Sequence, residues 1–139
     1  VVSDKVSRLV LVILSKDTGD VVERWQFNIQ VYDESSRHKV EEEELLRNQQ
    51  QKTQEKIQKE IQAIIRQITA SVTFLPALET GDPTFNVLVY ADADATVPSE
   101  WIDSDSKEIS NAEKVKFRSF STNSHKVDTL VSYKYDNTA

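Results

Sequence analysis

The stretch from Ile57 to Pro76 constrains this chain more than any other. Ile57, Ile61, Ile64, Ile65, Ile68, Val72 and Leu75 recur every three or four residues, the spacing that gathers them on one side of a 3.6-residue helix. Such a stripe needs a sheet to lie on. The upstream half is rich in Gln, Glu and Lys, which favour helix, and Pro76 marks the end because the residue before a proline is pushed out of helical geometry. Arg66, nine positions after Ile57, turns to the far side of the helix with Gln62 and Thr69 beside it. An outward arginine there is either ordinary solvated surface or part of a protein contact, where arginine is favoured.

The sheet is legible on both sides of that helix. Leu9 to Leu14 is apolar without interruption, which predicts a central strand covered on both faces. Asp17-Thr18-Gly19-Asp20 supplies a turn into a second strand over Arg24–Gln30, where Trp25, Phe27 and Ile29 face one way and Arg24, Gln26, Asn28 and Gln30 face a wet or polar side. Residues 33–51, with four consecutive glutamates from Glu41 to Glu44, read as an acidic flexible loop. After the helix, residues 79–84 form a loop and Phe85–Tyr90 a third strand. An irregular acidic segment follows around Trp101. Lys114–Phe120 and His125–Tyr135 both alternate and are joined by a turn at 121–124, making a C-terminal hairpin. No repeat or linker divides the chain, so one α+β domain is expected, a mostly antiparallel sheet with one long helix on a face.

Composition narrows the chemistry. A chain of 139 residues suits one domain with its own core. Without cysteine there is no disulfide framework, thiolate metal site or thiol nucleophile. A net charge of -6 argues against a sequence-independent grip on nucleic acid, and the apolar run at Leu9 is far too short to span a bilayer. The sequence opens without an initiator Met or a basic-then-apolar leader, so it is read as starting inside a longer protein. Its two histidines, His38 and His125, sit in no catalytic motif. A small α+β hydrolase using His125 with Ser121 or Ser124 stays as an alternative that lacks a group to orient the base. Asp92-Ala93-Asp94 resembles the start of an EF-hand loop, but Val97 stands where glycine must turn and Asp103 where the bidentate glutamate belongs. Two glycines are too few for a phosphate-cradling loop. Neither a cofactor nor a reaction is expected.

Three segments carry a resemblance. They are Ser7–Ile13 with Glu23–Asn28; Ile64–Pro76; and Phe85–Tyr90 continuing through Val97-Pro98 and Trp101 to Arg118–Thr122 and His125–Val127. Together they resemble the HORMA domain family in its spindle-checkpoint branch, the mitotic-arrest-deficient two proteins, and most of all the fungal members. The likeness runs from about Val6 to Tyr135 and departs mainly in the acidic loop. It also implies an N-terminal segment and two helices, which this sequence lacks.

By resemblance the chain is a conformational adaptor, not an enzyme. The C-terminal hairpin, residues 114–135, is implied to be mobile and to close as a seatbelt over a partner peptide, with Phe117, Phe120, His125, Val127, Val131 and Tyr133 as its working residues. The peptide is implied to add to the strand edge at Phe85, Val87 and Val89. Arg66, Gln67 and Phe74 match the family's dimer contacts, which pair an open with a closed copy. Implied partners are the checkpoint receptor mitotic-arrest-deficient one and the activator of the anaphase-promoting complex, which the family inhibits. The implied locations are nucleus, kinetochore and cytoplasm. Thr129 lies near a region of regulatory phosphorylation in the family, and His125 and Trp101 are candidates for stabilising one state. Another HORMA adaptor, of the meiotic axis or of translesion polymerase, is the nearest alternative.

Overall fold

A computed structural model describes residues 6–31, 53–78, 82–93 and 95–134. The expected acidic loop at 33–51 lies outside these residues. Strands β1 (Val6–Ser15) and β2 (Val21–Val31) form a hairpin. Its turn uses Gly19 at φ +73°, with the Gly19 N–H donating to the Ser15 carbonyl. Helix α1 (Gln54–Ala70) follows, then β3 (Pro83–Ala91), β4 (Glu113–Lys116), β5 (Phe120–Ser121) and β6 (His125–Tyr133). The order across the sheet is β3-β1-β2-β6-β4, with β5 also on β6, and every pairing is antiparallel. The α+β reading therefore holds.

The helix is bounded by side chains more than by Pro76. Thr53 caps its N-terminus, its hydroxyl accepting the Lys56 N–H at 3.3 Å, a bond whose loss typically costs about 1 kcal/mol. At the other end the Ser71 and Thr73 hydroxyls donate to the Ile68 and Ala70 carbonyls, and the chain tightens into a 3-10 turn over Ser71–Thr73. The helix thus starts earlier and stops sooner than its apolar stripe.

Directly opposite residues of paired strands share a face. One face carries Leu11, Trp25 and Val131, and α1 lies on it. Trp25, Phe117 and Val131 form a buried cluster joined by Leu11, Phe27, Val115, Ile68 and Leu75. The Trp25 and Phe117 rings meet edge to face at 5.5 Å. The other face carries Val10, Val12 and Leu14, packed with Val21, Leu88 and Tyr90.

Two expectations need correcting. Ile65 and Val72 do not join the stripe: they are 56% and 76% exposed, because the burial line runs through Ile57, Ile61, Ile64, Ile68, Ser71 and Leu75 and leaves those two roughly 60–80° off its centre. Among the described residues β1 is not covered on both faces: Leu9, opposite Val89, is exposed on the helix side, as are Val87 and Phe85 further along β3, because α1 sits over β2 and β6. The face of β2 read as wet or polar is polar, with Arg24 on it only 3% exposed.

The predicted strand over Lys114–Phe120 is also broken. Val115 pairs with Val131 and Phe120 with Val127, so five steps on one strand match four on the other. That single extra residue is a bulge. It switches the alternation, so Phe117 and Phe120, three apart, both face α1. The bulge also frees the Arg118 N–H, which donates to the Gln67 side-chain oxygen at 3.1 Å.

Candidate functional site

β3 ends the sheet, paired with β1 on one side and with no strand among the described residues on the other. Its outer row of backbone N–H and C=O groups is a template for an added strand. Phe85 and Val87 are exposed and Val89 half-buried along it. These are the three edge residues singled out in the sequence, and they share a face.

The chain after β3 has a long way to go. β4 lies at the opposite edge, four strand spacings or roughly 19 Å away. Residues 95–112 must therefore cross the sheet, and they do so on the face away from α1, since Ser106 meets Arg24, the neighbour of Val12 on that face. This crossing segment, here called the strap, first passes in front of β3. Between Asn86–Leu88 and residues 100–105 and Lys107 it leaves a gap of about 630 Å³, with Trp101 and Ile102 on the strap side.

Arg24 Nε donates to the Ser106 carbonyl at 3.2 Å and so ties the strap to the sheet, while Lys107 pairs with Asp105 at 3.3 Å within the strap. Lys107 and Asn111 take positive φ, at 51° and 54°, where the strap turns. Sequence reading passed over Arg24 as a polar-face residue. Nothing in its spacing signals burial, which depends on a segment 82 residues away.

The hairpin lies elsewhere. β6 pairs along its full length with β2, from Glu23 opposite Tyr133 to Val31 opposite His125, so Phe117, Phe120, His125, Val127, Val131 and Tyr133 are separated from the β3 edge by β1 and β2. The 114–135 hairpin does not itself cover the edge. It holds the far end of the strap, while residues 95–112 stand in front of β3.

Thr129 is 1% exposed, its hydroxyl without a partner, so a kinase reaches it only if the hairpin leaves β2. The His125 Nδ1 lies 2.7 Å from the Ser124 hydroxyl, but the pair belongs to a turn organised by Thr122 and does not line the gap along β3. No carboxylate orients the ring among the described residues. That geometry does not support a hydrolase.

Two of the dimer candidates lie on α1 and the third just past it: Gln67 is half-buried against the bulge, and Phe74, after the 3-10 turn, is 42% exposed near Tyr133. Arg66 is exposed next to them. Among the described residues no His, Cys, Asp and Glu grouping could hold a metal, and no helix is long and apolar enough to cross a membrane.

Comparison with known proteins agrees with this layout. The HORMA domain profile matches residues 2–125. The mitotic spindle checkpoint component MAD2 of Saccharomyces cerevisiae is 52% identical over 132 residues, covering 94% of this chain and 63% of that protein. The human mitotic spindle assembly checkpoint protein MAD2A is 44% identical over 129 residues, covering 93% and 58%. The chain thus spans about three fifths of the length of these relatives. A chain in the crystal structure of the mitotic checkpoint complex superposes with a TM-score of 0.76 at 49% identity, covering 96% of this chain and 64% of that one. The C. elegans protein HTP-2 bound to a HIM-3 closure motif gives 0.63 at 14% identity, covering 94% and 61%, a likeness of fold alone.

Proposed function

This chain belongs to the HORMA domain family, and from that premise we propose that it is a non-enzymatic spindle-checkpoint adaptor that takes a short partner peptide as an added strand on β3. The observation that supports this reading is the pairing of an unpartnered β3 edge with a strap held in front of it. Backbone hydrogen bonds to β3 supply the grip, and the side chains of Asn86, Leu88, Trp101 and Ile102 select the sequence in the gap. With β6 seated on β2, this arrangement is the shut one. The open one has the hairpin off β2.

The partners in this reading are the checkpoint receptor mitotic-arrest-deficient one and the activator of the anaphase-promoting complex, which the bound adaptor inhibits. Self-association runs through Arg66, Gln67 and Phe74, and the protein works in the nucleus, at the kinetochore and in the cytoplasm. Identities of 44–52% to spindle-checkpoint proteins favour this branch over other HORMA adaptors.

The test is fluorescence anisotropy of a labelled peptide carrying the activator's binding motif, combined with amide hydrogen exchange. Slow, tight binding should protect outward amides of Phe85–Tyr90 and leave those of β2 unchanged. Binding that protects no β3 amide would remove the strand-addition reading.

A further inference from the structure

A second cleft, of about 730 Å³, lies on the α1 side between the β1–β2 turn, the end of β6 and the residues after the helix. Leu75, Pro76 and Leu78 give it apolar walls, and the Phe74 and Tyr133 rings stand 6.4 Å apart beside it. Beside these apolar walls, in a cleft that Ser15, Thr18 and Asp20 also line, the fold places a buried acid. Glu23 lines the cleft and is 7% exposed, and its only partner among the described residues is the Trp25 indole N–H, which donates to one carboxylate oxygen.

A buried carboxylate is normally matched by a cation. None of the described residues supplies one: Lys134 lines the same cleft and forms no ion pair with Glu23. The second oxygen of Glu23 has no protein partner, yet it is not among the atoms sealed from solvent without one, so the cleft reaches it. The Ser15 hydroxyl, on another residue lining the cleft, is buried and unpartnered. Asp20 adds a further acid at the exposed rim. The site is half of an ion pair.

We propose that this cleft receives an arginine side chain presented by a protein partner. The chemistry favours arginine over lysine. A guanidinium gives two donors in a plane, matching Glu23 and the rim, is more weakly hydrated than an ammonium, and stacks on aromatic faces such as those of Phe74 and Tyr133. Its methylene stem covers Leu75 and Pro76. The cleft shares no lining residue with the gap along β3, so the inference stands apart from peptide capture there.

The two tryptophans give a built-in test. The Trp25 indole touches Glu23, whereas Trp101 lines the other gap. The probe is a blocked Ala-Arg-Ala tripeptide titrated into the 15N-labelled chain, the two indole signals being assigned with Trp101→Phe. The expected result is a saturable shift of the Trp25 indole N–H with Trp101 unmoved. Binding should fall by about tenfold or more when citrulline or lysine replaces arginine, and likewise with Glu23→Gln, which keeps an oxygen acceptor for the indole. An unmoved Trp25, an equal response to the citrulline or lysine peptide, or a response undiminished in E23Q would overturn the proposal. The citrulline comparison is made on the unmutated chain, so it decides the matter even if the variant folds poorly.

Discussion

Arg24 holds a cation among neutral acceptors. Its Nε reaches the Ser106 carbonyl, one terminal nitrogen reaches the Gln26 side-chain oxygen, and the other is buried with no partner. A guanidinium so placed ties the strap to the sheet while leaving one donor unsatisfied. Arg24→Ala should therefore lower stability by about 1–3 kcal/mol in denaturant melts and speed exchange of strap amides near Lys107. A variant with unchanged strap exchange would show that the Arg24 bond does not hold the strap. Glu23, the next residue, faces the other side of β2 and so belongs to the helix layer. Two adjacent charged residues are both buried, on opposite faces. Charge alone in the sequence gives no hint of it, because each is buried by a segment far away in the chain.

Elements that announce themselves by period were readable in advance: the α1 stripe, the alternation of Trp25 and Phe27, and the Val127–Val131 face of β6. What period could not show is what depends on a neighbour. The bulge between β4 and β5 exists only relative to β6, and the exposure of Ile65 and Val72 only relative to where α1 sits across the sheet. The strap, lacking regular structure, left no periodic trace beyond an acidic, irregular composition. The proposed peptide edge at Phe85–Tyr90 rests on the family resemblance, and that β3 is an outermost strand among the described residues follows only from the strand order. The bulge itself is testable. Deleting Ser119 removes the extra residue, so Phe120 must turn away from α1 or the Val127 pairing must slip. A loss of about 1.5 kcal/mol or more in hairpin stability is expected, read as faster exchange of β6 amides before global unfolding. Unaltered exchange would mean the bulge is incidental.

Across the whole molecule, Arg66 and Gln67 on α1 and Phe74 just past it lie away from the β3 edge, with β1 between the helix seat over β2 and β6 and that edge. Arg66→Ala should weaken self-association in sedimentation velocity and leave peptide affinity within about twofold, since distant surface sites act independently. Loss of both together would count against separate surfaces. The route of the strap has a further consequence for anything held at β3. The polypeptide leaves one margin of the sheet, passes in front of that margin, crosses the sheet and is anchored at the other margin by β6. A ligand strand lying in the gap would be encircled by a loop of chain that only the β6 hydrogen bonds to β2 keep shut, as an axle is by a clasped ring. Residence time is then governed by how often the anchor lets go, and ligands of very different sequence should leave at nearly the same rate.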